Sequence, residues 1–233
     1  MNSSAGAREF SSSPLTGYKI AYPLMSADGS RTAFCGTGTG HRHVYLAVDN
    51  AICLNNSRHH VPNWMCTCGF YCLHTLDAAR DLTCAPENRN TVVLEVAASG
   101  RYRRHDLGLR YETQRVRRVW TGRCRCGRPT EVFIDAGTGR TAWRNLTPSC
   151  VHCSDGRPVL PLDKFAALTG TAGLEVRVDR APLRNFIVPD RPLTGDGVGA
   201  PGDATPVVDA ELAVINARVD ELQSHVDRLL HRD

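Results

Sequence analysis

Four cysteines in two short-spaced pairs, Cys124-x-Cys126 and Cys150-x2-Cys153, have the residue type and spacing to bind a zinc ion. Zn²⁺ takes four ligands in a tetrahedron, with sulfur at about 2.3 Å, and two pairs brought together by a hairpin deliver four thiolates to one point. Gly127 directly follows the first pair. A glycine there admits the positive φ that turns backbone N–H groups towards the sulfurs. Four thiolates leave no coordination position for water, so this zinc is expected to be structural.

A second set of donors lies at Cys53, His59, His60, Cys66 and Cys68, where Cys66-Thr-Cys68-Gly69 repeats the pattern Cys124-Arg-Cys126-Gly127. Cys53 with one of the two histidines would complete a site of three cysteines and one histidine. Cys66, Cys68, Cys72 and His74 form a rival set that is wholly local. Two structural zinc ions are therefore the expected cofactors. Cys35 and Cys84 read as buried thiols.

The stretch His59-His-Val-Pro62-Asn-Trp-Met-Cys66-Thr-Cys68-Gly69-Phe-Tyr71 resembles a motif of poorly characterised actinobacterial and actinophage proteins. In them H-x-A-P precedes C-x-C-G-[IVF]-Y-A, with a further cysteine upstream. Residues 99–111, Ser-Gly-Arg-Tyr-Arg-Arg-His-Asp-Leu-Gly-Leu-Arg-Tyr, resemble the strand pair that follows, so the likeness spans residues 17–120. Position by position the resemblance implies His59 as the ligand beside Cys53, Cys66 and Cys68, on a zinc-bound α+β module. The chain departs from the motif at Val61 and at Cys72, which leaves Cys72 as a competing ligand. No established activity comes with the resemblance.

Charge is distributed unevenly. The net charge is +4, yet residues 101–128 hold ten arginines against Asp106 and Glu112, an excess of +8 that leaves −4 elsewhere. Arginine outnumbers lysine 26 to 2, which is foremost a mark of a GC-rich genome. Within the basic segment the arginines alternate with Tyr102, Tyr111 and Trp120, the mix of phosphate-binding forks and stacking faces that nucleic-acid grooves use. Arg101, Arg103, Arg104, Arg115, Arg117 and Arg118 are the candidate contacts to DNA. Such contacts would be chiefly to backbone phosphate, with steep salt dependence and little sequence choice. The plain alternative is a solvated arginine-rich hairpin.

No catalytic constellation stands out. Gly36-Thr-Gly-Thr-Gly40 lacks the Lys-Ser/Thr of a phosphate-binding loop, and there is no H-E-x-x-H or G-x-S-x-G. The H-x-E and P-C-x-x-C pair of zinc deaminases is missing too. His41-Arg-His43 reads as polar surface.

The elements that must position these residues follow from pattern. Tyr18–Pro23, His43–Val48, Thr91–Ala97, Leu109–Trp120, Thr130–Ile134, Arg140–Leu146 and Leu174–Val178 read as strands. Phe70–Leu82 and Leu162–Leu168 read as short helices, and Ala136–Gly139 as a hairpin turn. Thr205-Pro206 opens a helix whose apolar residues Val208, Leu212, Ile215, Val219, Leu222, Val226 and Leu229 fall at spacings of 4 and 3 in alternation, the period of a coiled coil. The expected fold class is α+β: a small zinc-stapled mixed domain, a zinc-ribbon-like β-hairpin unit and a C-terminal coiled-coil helix. Its divisions are a disordered tail at 1–16, the α+β domain at 17–120, the ribbon-like unit at 121–187, a linker at 188–204 and the coiled coil at 205–233.

At 233 residues, with 42% apolar, 22% charged and only 6% aromatic residues, the chain suits a modest core reinforced by metal. No apolar run approaches 18 residues, and the polar start lacks the apolar stretch of a signal peptide. The expected location is the cytoplasm, or the host cytoplasm for a phage-encoded chain, where ten cysteines serve as ligands rather than as disulfides. A rigid body with a tethered helical hook reads as a non-enzymatic adaptor in a DNA transaction, gripping a protein partner or a second copy through its coiled coil. A recombination directionality factor acting on a serine integrase is one example of that architecture. The alternatives are a dimeric interaction protein indifferent to DNA and a zinc-dependent enzyme.

Overall fold

The structure, a computed structural model, describes residues 9–37, 43–54 and 58–180. The expected linker, the heptad residues from Val208 to Leu229, and residues 1–8 and 181–187 lie outside them. Residues 9–180 fall within one of the two compact units of the chain.

One long strand organises the chain. β1 (Glu9–Ser26) is followed along the chain by β2 (Thr32–Cys35), β3 (Val44–Tyr45) and β4 (Val48–Asn50), then β5 (Phe70–Leu73), β6 (Val92–Arg104) and β7 (Gly108–Thr121). The second half adds β8 (Val132–Arg140), β9 (Trp143–Ser149), β10 (Val159–Pro161) and β11 (Glu175–Val178). From Glu9 to Ala21, β1 pairs antiparallel with β6. From Tyr22 to Ser26 it pairs instead with β2 on one edge and β9 on the other. The first sheet continues through β6 to β7, which also carries β4, β5 and a parallel β11. The second sheet continues through β9 to β8 and β10.

The sharing of β1 corrects three expectations. Residues 9–16, expected as disordered tail, are strand, because Glu9, Phe10 and Ser11 pair with Tyr102, Arg101 and Gly100, and Leu15 and Thr16 with Ala98 and Ala97, far along the chain. Residue 120 lies within β7 and divides no separate cores. The class is mostly β, with only two seven-residue α-helices among the described residues, α1 (Leu76–Leu82) and α2 (Leu162–Leu168).

A chain of aromatic rings runs from Tyr111 to Phe70, Tyr45, Phe34 and Phe165, ending on Phe133, with centroid separations of 4.5 to 6.2 Å. It crosses from the first sheet to the second between Phe70 and Tyr45, and Phe165 of α2 packs between Phe34 and Phe133 of the second sheet. Val92, Leu94, Val96, Val116 and Val119 fill the space beside it. A smaller cluster of Ile20, Ala79 and Val93 seats α1 on the other side of the first sheet.

Two local expectations shift. Phe70–Leu73 is strand rather than helix, since Phe70 and Cys72 are buried while Tyr71 is exposed, a period of 2. The helix begins only where the Thr75 side chain caps it by accepting from the Ala78 N–H. In the ribbon-like unit, β8 runs on through Gly137 and Gly139 by an irregularity after Asp135, so the turn falls at Thr141-Ala142 instead of Ala136–Gly139.

Close packing on the core face of β1 yields one test. A Cβ on buried Gly17 would sit 2.2 Å from Cys72 Sγ. Gly17→Ala is therefore expected to cost about 1–3 kcal/mol by overpacking, with a lower Tm. The Gly17→Ala/Cys72→Ala pair should be more stable than Gly17→Ala alone, and a double variant no more stable than the single one would refute the clash.

Candidate metal centres

Each centre is built from two loop segments held at the ends of strands. For the first, Cys53 follows β4 and Cys66 and Cys68 precede β5, and both strands pair with β7. The Cys66 N–H donates to Asn63 O and the Met65 N–H to Asn63 Oδ1, closing the turn that carries Cys66. Cys53 Sγ then lies 3.7 Å from Cys66 Sγ and 3.4 Å from His59 Nε2. A tetrahedral zinc site has edges of about 3.8 Å between sulfurs and about 3.5 Å between sulfur and nitrogen, so both spacings fit one ion. A disulfide would need the sulfurs at about 2.05 Å.

His59 Nδ1 lies 3.1 Å from the carbonyl oxygen of His60. With the proton on Nδ1 donated to that carbonyl, Nε2 presents its lone pair to the metal, the usual second interaction of a ligating histidine. Of the two neighbours, the fold brings His59 into the cluster, while His60 contributes only a backbone oxygen beside it. Cys72 and His74 stand apart from the cluster. Cys72 is buried in the core, and His74 Nε2 meets the carbonyl of His105.

The second centre joins the two sheets. Cys124 and Cys126 follow β7 of the first sheet, whereas Cys150 and Cys153 follow β9 of the second. Gly127 adopts φ 83°, as its place after the knuckle requires, and its N–H donates to Cys124 O at 2.8 Å. Cys126 Sγ lies 3.5 Å from Cys150 Sγ. Cys124 and Cys150 are buried, while Cys126 faces solvent. All ten cysteines are free. The eight expected ligands form two clusters, one of three cysteines with a histidine and one of four cysteines, consistent with two structural zinc ions.

The thiols of the four-cysteine set are electrostatically unequal. Burial opposes ionisation of Cys124, but hydrogen bonds from the Cys126 and Cys150 backbones and from Ser149 outweigh it and bring the thiol down to about 6. Hydrogen bonding with Cys126 and Cys150, then burial, pushes Cys153 up to about 12. In the first centre burial raises Cys68 to about 11. Zinc takes only thiolates, so near neutral pH its uptake must drive protons from Cys153 and Cys68. The sign follows: zinc affinity falls as pH falls, by about tenfold per pH unit for each proton displaced. Competition with a chromophoric chelator between about pH 8 and about pH 5 measures this. An affinity independent of pH would contradict it.

Of the six candidate DNA-binding arginines, the structure leaves three on the surface without an ion pair among the described residues: Arg104, Arg115 and Arg117. Arg118 is committed to Glu95 at 2.8 Å and Glu175 at 3.3 Å, with its guanidinium 5.3 Å from the Trp120 ring. Arg101 pairs with Glu112 at 3.4 Å, and Arg103 is half-buried. The candidates therefore do not form one uniform basic face.

Two charged residues packed inside the fold gave no sequence signal. Arg110 is buried and donates to the carbonyls of Cys66 and Asn63, the latter at 2.8 Å, so it holds the ligand loop from beneath. Lys19 lies with its ammonium 4.4 Å from the Tyr45 ring and 5.0 Å from that of Phe70, and burial brings its amine down to about 8. Both sit at strand positions that alternation alone assigns to either face. Among the described residues no helix is long and apolar enough to cross a membrane. No protein family, curated protein or solved structure matches the chain.

Proposed function

We propose that this chain is a non-enzymatic, zinc-stapled adaptor of an actinobacterium or its phage. It acts beside DNA and grips a DNA-acting partner through the heptads from Val208 to Leu229. The carrying observation is that both metal clusters supply four protein ligands. A catalytic zinc keeps a position for water, whereas a closed set contributes folding energy. The exposed Arg104, Arg115 and Arg117 support a place near phosphate. Recombination directionality factors acting on serine integrases are one class of adaptor with this plan.

The internal pairing of Arg101 and Arg118 favours a second reading, an interaction protein that pairs with itself and ignores nucleic acid. Light scattering on the full chain, beside a Val219→Asp/Val226→Asp variant, tests the coiled coil. Association lost in the variant, with both zinc ions kept, is the expected result; unchanged association would remove the helical hook from the proposal. Cobalt substitution tests the closed sites. The tetrahedral thiolate spectrum should not respond to added azide, and a shift would establish an open position and return the enzyme reading.

A further inference from the structure

We infer that the four-cysteine centre carries a binding site for nucleic-acid backbone phosphate, formed by Arg125 and Arg157 with Asp155 as its removable occupant. The inference rests on the proposed action beside DNA and names where that contact is made.

The zinc ligands bring two distant arginines together. Arg125 stands between Cys124 and Cys126, and Arg157 lies shortly after Cys153. Their Nη2 atoms are 3.6 and 3.9 Å from the same oxygen, Asp155 Oδ2. Both distances exceed a good hydrogen bond, so the carboxylate draws the guanidiniums together without saturating them; Arg125 keeps its donors for an incoming anion, while Arg157 approaches it with one edge already held by backbone carbonyls. Side chains this exposed gain little stability from such pairing. Two guanidinium forks converging on one anion match the tetrahedral oxygens of a phosphodiester better than the two oxygens of a carboxylate.

The site is also pre-ordered. Arg157 Nε donates to Ser154 O at 3.1 Å, and its Nη2 lies 3.4 Å from Cys153 O. Arg123 Nη1 donates to Gly127 O at 3.0 Å. These carbonyls belong to the turns that bear the ligands, so part of the ordering cost of gripping an anion is already met in the folded protein. The hydrogen bonds and ion pairs of Arg123, Arg125 and Arg157 go to carbonyl oxygens and to Asp155, rather than to a ligand sulfur.

A polyanion fits better than a lone phosphate. β7 leads directly into the knuckle, and Arg115, Arg117, Arg123, Arg125 and Arg128 are all exposed along that course. A six-residue strand interval spans about 20 Å, which is far longer than one phosphate.

The experiment is fluorescence anisotropy of the full zinc-loaded chain with a labelled DNA duplex, over a series of salt concentrations, with zinc counted in every variant. Arg125→Ala/Arg157→Ala should weaken binding about tenfold and lower the salt slope by about two. Asp155→Asn should tighten it several-fold. Asp155 has φ 50°, a left-handed conformation that asparagine accepts, so this variant keeps the turn. Arg125→Ala alone, which removes an arginine ion-paired to Asp155, guards against misfolding of the double variant.

Full DNA affinity in both arginine variants, with loss only on changing Arg104, Arg115 and Arg117, would overturn this site and leave the DNA reading standing. No duplex binding by the unaltered chain would overturn both. Loss of zinc from Arg125→Ala with DNA affinity intact would show that the arginine offsets thiolate charge, against the proposal. Displacement of the duplex by inorganic phosphate at low millimolar concentration would assign the site to free phosphate and refute the backbone assignment.

Discussion

Replacing Cys150 by serine is expected to leave the chain with one zinc ion instead of two and to unlock its two sheets from each other at the four-cysteine end. Cys150 is 1% exposed and follows β9, while two of the ligands it meets follow β7. The metal is thus a cross-link between strands of different sheets. Serine conserves the volume but offers a poor zinc ligand, and three remaining thiols hold the ion far less tightly. Structural zinc contributes about 10–16 kcal/mol in small zinc modules, as much as the whole net stability of a typical domain, about 5–15 kcal/mol. Here β8, β9 and β10 keep their hydrogen bonds, and Phe133 and Leu146 keep their place in the core. Partial unfolding is therefore the expected outcome. Native mass spectrometry should count one zinc, and hydrogen exchange should rise at residues 122–158 while the loop bearing His59 and Cys66 stays protected. Two zinc ions and an unchanged Tm would show that Cys150 is not a ligand.

Arg110→Met should be the most damaging change outside the ligands. Arg110 is 1% exposed, and its guanidinium donates to two carbonyls of the loop that presents Cys66. Three thiolates and a neutral imidazole leave a zinc centre with a net negative charge, so a buried cation beneath the loop also offsets the field of the thiolates. Methionine retains the aliphatic stem and removes every donor, leaving the carbonyls of Asn63 and Cys66 without their partner. The expected cost is about 3–5 kcal/mol, the range for breaking a buried charged contact, and a zinc affinity lowered about 10–100-fold at the first centre. The four-cysteine centre should bind as before, which distinguishes a local effect from general unfolding. Arg110→Lys should rescue little, because one ammonium cannot fork to two carbonyls. Zinc competition and thermal melts measure both effects. Unaltered affinity at both centres in Arg110→Met would show that the guanidinium merely fills space.

The readable parts of this protein are those specified by short-range spacing. Cys124-x-Cys126 and Cys150-x2-Cys153 place their sulfurs by local turn geometry, so the ligand set is written in the chain. The β-branched and aromatic content of Val92–Val96 and Leu109–Trp120, and the apolar spacing of Leu162–Leu168, likewise mark elements from local pattern alone. His59 over His60 needed more, since adjacent histidines differ only in which one the loop turns towards Cys53.

What the tertiary structure alone decided involves partners far apart in sequence. Glu9–Ser13 is a polar, serine-rich run with weak preference of its own, and β6 makes it strand. Arg118 looks like a phosphate contact until Glu95 and Glu175 arrive on neighbouring strands, and Arg110 looks exposed until the Cys66 loop covers it. Arg125 and Arg157 share a carboxylate only because the zinc ligands fold their two turns together. By itself the sequence determined the four-cysteine ligand set and most strands, because those depend on neighbours within a few residues. The roles of the arginines were decided by the fold, because a charge acquires its role from the groups that long-range pairing brings beside it.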